Sequence, residues 1–172
     1  MIGWFIQNQI QDKAVYAPEE LNDDINLLTN NYLYFHPGQE LQLIPTSELI
    51  DRFTYFDITN QDITDHLLNR QTMVFGMTFI EKMQKDNLLN KIKSLVFRKK
   101  FTPATLAQYT KYDFEPIRQK RINPDLAEFN RYLKKYHVDY LVYREKDQES
   151  IYKLVPGKIV FEGDSYIIKS LN

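Results

Sequence analysis

The sequence contains no cysteine, and this absence excludes a whole group of functional sites. A chain without thiols forms no disulfide, no thiolate nucleophile and no cysteine-based zinc or iron–sulfur site. No apolar run approaches the roughly eighteen residues that span a bilayer, so we expect that this segment itself does not cross a membrane. Glycine (5) and proline (7) are also too scarce, in 172 residues, for a fibrous or disordered chain. We therefore expect one water-soluble domain, residues 1–172, with its own core.

The common catalytic and cofactor motifs are missing as well. There is no Gly-rich phosphate loop, no nucleophile elbow and no H-E-x-x-H helix, so the sequence predicts no cofactor and leaves catalysis undecided. The three histidines, His36, His66 and His137, have no metal-binding spacing. Asp62, Asp65 and His66 could share one helix face, but a single turn supplies too few ligands. We predict no metal site.

What the sequence does contain is a mixture of helix and strand signals. The strand-like segments are Ala14–Ala17, Tyr32–Phe35, Leu41–Ile44, Thr72–Met77 and Val138–Tyr143, followed by a hairpin of Lys158–Phe161 and Tyr166–Ile168 around Glu162–Ser165. Helix signals are Trp4–Ile10 and segments beginning near Pro18, Thr46, Thr59, Thr78, Thr102-Pro103 and Asn123-Pro124, the one from Thr78 reaching Val96. This alternation predicts an α/β fold: a mixed, mainly parallel sheet covered by helices, with a C-terminal β-hairpin. We expect Phe129, Leu133, Tyr140 and Val142 in the core.

Charge is distributed unevenly along a chain whose net charge is only −1. Residues 12–65 hold eleven acids against Lys13 and Arg52, whereas residues 88–121 hold nine bases against Asp113 and Glu115. The basic run is interleaved with phenylalanines and tyrosines. Such a mixture is typical both of single-stranded nucleic-acid surfaces and of membrane interfaces, and it is also compatible with an ordinary solvated surface. The candidate residues for contact with an anionic surface are Lys91, Lys93, Arg98, Lys99, Lys100, Arg118, Lys120 and Arg121.

A second candidate site lies in the acidic half. Glu48 and Arg52 are four residues apart on a predicted helix, in the favourable order for an ion pair. Arg52 could instead anchor a phosphate or carboxylate at the open end of the sheet. With Tyr34 and His36, these residues form the candidate ligand-binding set, and a small enzyme with an unfamiliar site there is a further hypothesis.

Four stretches carry a resemblance to a known family. They are Trp4–Val15, where a Trp-bearing helix leads through an N-x-x-x-D-type turn into a strand, then Ser47–Phe53, Tyr132–Val142 and Lys158–Leu171. Their order resembles the soluble extracytoplasmic C-terminal domain of bacterial multi-spanning membrane proteins similar to the GT-C, protein-mannosyltransferase-like glycosyltransferases. The segment from Phe79 to Arg121 has no counterpart in that pattern.

The resemblance implies a non-catalytic accessory domain on the extracytoplasmic face of a bacterial cell membrane, helping to bind or position substrate. Its implied partners are the membrane surface, the membrane-embedded part of the same protein, and a lipid-linked sugar or anionic lipid. In that family, transferase chemistry belongs to acidic residues in loops of the membrane part, so no catalytic residue is carried over. The alternative is a stand-alone, cytoplasmic binding protein for nucleic acid or another anionic ligand, using residues 91–121.

Overall fold

The computed structural model describes residues 1–36, 45–60, 71–98, 100–105, 115–147 and 149–172, except for the side chains of Thr46 and residues 71–78. The helices described are α1 Ile2–Gln7, α2 Asn22–Thr29, α3 Thr46–Tyr55, α4 Gln71–Val96, α5 Glu115–Ile122, α6 Leu126–Lys135 and α7 Ile151–Leu154, with short 3₁₀ turns at Glu19–Leu21 and Glu145–Asp147. The strands described are β1 Ala14–Tyr16, β2 Tyr32–Leu33, β3 Tyr140–Arg144, β4 Lys158–Gly163 and β5 Tyr166–Ser170.

The five described strands form one mixed sheet in the order β2-β1-β3-β5-β4. β1 is parallel to both of its neighbours, with Val15 opposite Leu33 on one side and Tyr140 on the other. β5 is antiparallel to β3 and to β4, with which it forms the C-terminal hairpin. The predicted fold class is therefore confirmed.

Helices cover both faces of this sheet. Since successive side chains of a strand point to opposite sides, β3 contributes to the core on both faces. Leu141 and Tyr143 of β3 join the core cluster that contains Phe53 of α3 and Phe129 of α6. Val142, between them, joins a second cluster with Phe5 of α1 and Ile25 of α2. The residues predicted to be in the core therefore lie on both faces of the sheet.

The expected burial of that set is confirmed at three of its four positions. Phe129, Leu133 and Val142 are buried. Tyr140 is half-buried and packs edge-on against Trp4 and Phe5, on the face opposite α6.

The predicted strand Thr72–Met77 is wrong, because these residues lie inside the 26-residue helix α4. A short apolar run cannot be assigned to strand or helix by periodicity alone. The helical pattern downstream decides the outcome, since extending an existing helix adds one hydrogen bond per residue without a new nucleation cost. None of the helices in the described part of the chain, α4 included, combines the length and the apolarity that crossing a bilayer requires.

Other local predictions had mixed outcomes. Asp125 caps α6 by accepting a hydrogen bond from the Glu128 amide, two residues after the predicted start. The hairpin turn is made by Asp164 and Ser165, both with positive φ (53° and 65°). Residues 101–105 are not helical, so the helix start predicted at Thr102-Pro103 is wrong there. The strand Leu41–Ile44 and the helix carrying residues 62–67 lie outside the described residues.

Candidate functional site

The structure brings three of the four candidate ligand-binding residues together. Arg52 of α3 donates from Nε and Nη2 to Glu48 Oε1 (2.9 and 2.6 Å) and from Nη1 to the carbonyl oxygen of Tyr34 (2.7 Å). Its guanidinium also lies over the Tyr136 ring, 4.3 Å from the centroid. His36 faces Asp23 of α2 instead, at 3.5 Å. The Arg52 group therefore braces the chain after β2 against α3 and α6.

A neighbouring carboxylate organises the tyrosines of this region. Asp51 accepts hydrogen bonds from the hydroxyls of Tyr132 and Tyr136 (both 3.1 Å) and from Lys135 Nζ (2.6 Å). Burial, and then the negative charge of Asp51, raises the pKa of Tyr132. Burial alone is the main reason that the pKa of Tyr34 is raised. Tyr132 is consequently a neutral hydrogen-bond donor at physiological pH, whereas the buried Tyr34 hydroxyl has no hydrogen-bond partner among the described residues.

A charged cluster that the sequence did not reveal lies at the carboxyl ends of β1 and β3. In open α/β sheets, ligands usually bind outside the carboxyl ends of parallel strands, at the point where the strand order reverses. β1 is at such a point, because β2 and β3 lie on its two sides and both are parallel to it. Here the position is filled by Arg144, which forms five hydrogen bonds of 2.6–3.3 Å with the carboxylates of Glu20, Asp57 and Asp147. A guanidinium has five N–H donors, so Arg144 has none left for a ligand.

The Arg144 cluster is stable in its charged form. Burial by itself disfavours the charged guanidinium, but hydrogen bonds to Asp57 and Glu20 raise the pKa of Arg144. Partial burial likewise opposes ionisation of Glu20, and hydrogen bonds from Arg144 nevertheless lower the pKa of Glu20. An open cavity of about 570 Å³ adjoins the cluster, lined by Arg144, Glu145, Lys146, Ser165 and Tyr166. The only sequence signal was an arginine ending an apolar strand.

Arg121 has to be removed from the predicted anionic surface, because it is 2% exposed. Its guanidinium donates to the carbonyl oxygens of Phe53 (2.7 Å), Phe56 (2.6 Å) and Asp57 (3.5 Å), which close the C-terminal end of α3. Cations are favoured at such helix ends. Burial lowers the pKa of Arg121, but an arginine remains charged at neutral pH.

The other predicted surface bases separate into two groups. Lys120 Nζ is bound to Glu128 Oε1 at 2.8 Å, and Arg118 is exposed on the same helix, α5. Lys91, Lys93, Arg98 and Lys100 lie together, exposed, at the C-terminal end of α4, while Lys99 lies outside the described residues. No described carboxylate forms an ion pair with any of these four bases.

We call residues 87–105 the basic tip. Asn87 fixes it, because its side chain donates to the Ala104 carbonyl oxygen (3.3 Å) and accepts from the Ala104 amide (2.7 Å), which folds the chain back along α4. Arg98 adopts a left-handed φ of 51° just beyond the helix end. A cavity of about 380 Å³ lies between helix and returning chain, lined by Asn90, Lys93, Ser94, Phe97, Lys100, Phe101 and Thr102. The tip therefore presents cations, aromatic rings and hydrogen-bonding groups together.

No described group of three or more histidine or acidic side chains could hold a metal ion, and Asp62, Asp65 and His66 lie outside the described residues. Comparison of the chain with protein-family models, curated proteins and solved structures finds no match.

Proposed function

We propose that this chain is a non-catalytic accessory domain of a membrane protein that resembles the GT-C glycosyltransferases. In this proposal the domain lies against the extracytoplasmic membrane face and helps to bind or position the substrate there. The observation that carries the proposal is the basic tip. Over residues 87–105 the sequence contains five bases and no acid, and the described bases are exposed at the end of one long helix.

Three arginines outside the basic tip make internal contacts, and this difference supports the tip as the surface that contacts the membrane. Arg52, Arg121 and Arg144 all donate to groups of the protein itself, so they brace the fold. The four described bases of the tip have no carboxylate partner among the described residues and can meet an external anion without breaking an internal ion pair. Near an anionic membrane each such residue contributes about 1 kcal/mol.

Vesicle sedimentation tests the proposal. We expect the chain to sediment with phosphatidylglycerol-containing vesicles at low salt and not with pure phosphatidylcholine vesicles. The triple variant Lys93→Glu, Arg98→Glu, Lys100→Glu should bind at least about a hundred-fold more weakly, since three contributions of about 1 kcal/mol are removed and replaced by repulsion. Added salt should weaken wild-type binding, because the Debye length shortens from about 10 Å at 0.1 M to about 3 Å at 1 M.

A matched control separates the position of the charges from their number. The variant Lys134→Glu, Lys146→Glu, Lys158→Glu changes three other exposed lysines and lowers the net charge by the same amount. It should retain most of the binding. Equal loss in both triple variants, or no binding by the wild type, would contradict the proposal.

One feature favours a second candidate, a binding protein for single-stranded nucleic acid. Phe97 and Phe101 line the cavity beside Lys93 and Lys100, and ring stacking with backbone neutralisation is how such surfaces bind. An oligothymidine titration beside the vesicle assay distinguishes the two. Tighter binding of the oligonucleotide, lost on Phe97→Ala, would favour nucleic acid. Several apolar spans in the reading frame upstream of Met1 would favour the membrane.

A further inference from the structure

We infer that α4 carries a membrane-inserting apolar face, and that this face enters the acyl boundary of an anionic bilayer while lysines on its two borders contact the lipid phosphates. This inference rests on the proposed function and adds to it the depth of the contact. The face consists of Leu88, Ile92 and Leu95, widened by Leu89 and Val96, and we call it the apolar stripe.

The helical positions of these residues place them on one side of α4. At 100° per residue, positions 88, 92 and 95 fall within about 60° of the helix circumference, and positions 89 and 96 widen the stripe to about 120°. Lys91 and Lys93 lie about 40° beyond its two edges. This is the arrangement of an interfacial helix, with an apolar face between cations.

The stripe is exposed over its whole length. Leu88, Ile92 and Leu95 are 61%, 50% and 73% exposed, and Leu89 and Val96 are 45% and 69% exposed. The returning chain covers a different side of the helix, since Asn87 is hydrogen-bonded to Ala104 and lies about 80° from the nearest edge of the stripe. Contiguous exposed apolar surface of this kind marks an interaction site.

Charge complementarity indicates which partner covers the apolar stripe. No acidic residue occurs between positions 87 and 105, so the charged residues that flank the stripe within this segment are all cations. In a symmetric dimer, a second copy of the stripe would bring Lys91 and Lys93 against the same cations of the other copy, which is unfavourable in a poorly hydrated interface. An anionic lipid surface supplies negative charge at the height of the lysine ammonium groups and apolar chains below it.

Single-cysteine labelling measures the depth directly, because the chain has no cysteine of its own. An environment-sensitive fluorophore on Ile92→Cys should shift to the blue on phosphatidylglycerol-containing vesicles and be quenched by lipids that carry a quencher on the acyl chain. The same fluorophore on the exposed position of Lys146→Cys should do neither. If the fluorophore at position 92 stays in water while the chain is bound, the inference is overturned and the proposed function survives.

A substitution series gives an independent measure. In Leu88→Gln, Ile92→Gln, Leu95→Gln the helix propensity is kept, and we expect about a hundred-fold weaker vesicle binding, since nearly two side chains' worth of apolar surface is lost from insertion. The control Leu27→Gln, Leu28→Gln, Leu154→Gln changes side chains of similar exposure (78%, 59% and 62%) and should bind as the wild type does. Circular dichroism spectra should be the same for all three proteins.

Three results of this series would overturn the inference. The first is unchanged vesicle binding by the stripe variant. The second is a wild-type dimer in sedimentation equilibrium that the stripe variant dissociates, because the stripe would then be a contact between copies. The third is the absence of any vesicle binding by the wild type, and only this one also removes the proposed function.

Discussion

Replacing Arg144 by methionine should be among the most destabilising single changes in the described part of the fold. The side chain of Asp57 is 0% exposed, and both of its oxygens accept from Arg144 at 2.8 Å. Without the guanidinium, the Glu19 amide at 3.2 Å is the remaining donor that the structure places on this carboxylate. Removing one partner of a buried ion pair costs about 3–5 kcal/mol, because it leaves an uncompensated buried charge.

Urea unfolding followed by circular dichroism measures this cost. With a slope of about 2 kcal/mol per molar urea, the midpoint should fall by about 1.5–2.5 M, with the slope itself unchanged. In the Asp57→Asn, Arg144→Met double variant the loss should be smaller than in Arg144→Met alone, since the fully buried side chain at position 57 then carries no charge. Arg131→Met is the control: this arginine pairs with Glu128 at 3.3 Å but is 68% exposed, so its loss should be within about 1 kcal/mol. If Arg144→Met costs no more than Arg131→Met, the reasoning is refuted.

Two further predictions concern α6. Leu133→Ala should cost about 2–5 kcal/mol in the same unfolding assay, because Leu133 is 3% exposed in the main core cluster, and a loss below about 1 kcal/mol would contradict its assignment to the core. Hydrogen bonds, first from Lys120 and then from Tyr55, lower the pKa of Glu128. The Glu128 carboxylate therefore stabilises the fold above its unfolded pKa of about 4.3. This stabilisation is lost as the pH falls through the lower pKa of the folded state. The gap in unfolding free energy between wild type and Glu128→Gln should therefore narrow between about pH 5 and pH 3; a gap that does not change with pH would contradict this.

Local signals predicted local structure well. Helix α6 was predictable from apolar residues that recur with a period of 3.6, and strand β3 from the apolar run directly after them. The Glu48–Arg52 ion pair was predictable from its i,i+4 spacing. The assignment of Thr72–Met77 to a strand failed because the deciding information, the long helix downstream, lies outside the six residues themselves.

The charged clusters could not be predicted because their partners are distant in sequence. Arg144 meets Asp57 and Glu20 from 87 and 124 residues away, and no periodicity reports such contacts. Arg121 was misplaced on the surface for a related reason. Its acceptors are backbone carbonyls 64–68 residues earlier, and these carry no signature in side-chain type.

The position of β1 has a consequence for the order in which the molecule is made. β1 lies between β2, which follows within about twenty residues, and β3. Just before β3, Asp139 accepts a hydrogen bond from the amide of Ala14, 125 residues earlier in the chain. During synthesis β1 can pair early with β2, but its other edge stays open until β3 is complete. Folding is slow when such a long loop must close, because the entropy of the loop is lost before the contact between the strands stabilises the chain. Nascent chains that end before residue 140 thus carry an unpaired, apolar strand edge, and we expect them to be the species that chaperones bind.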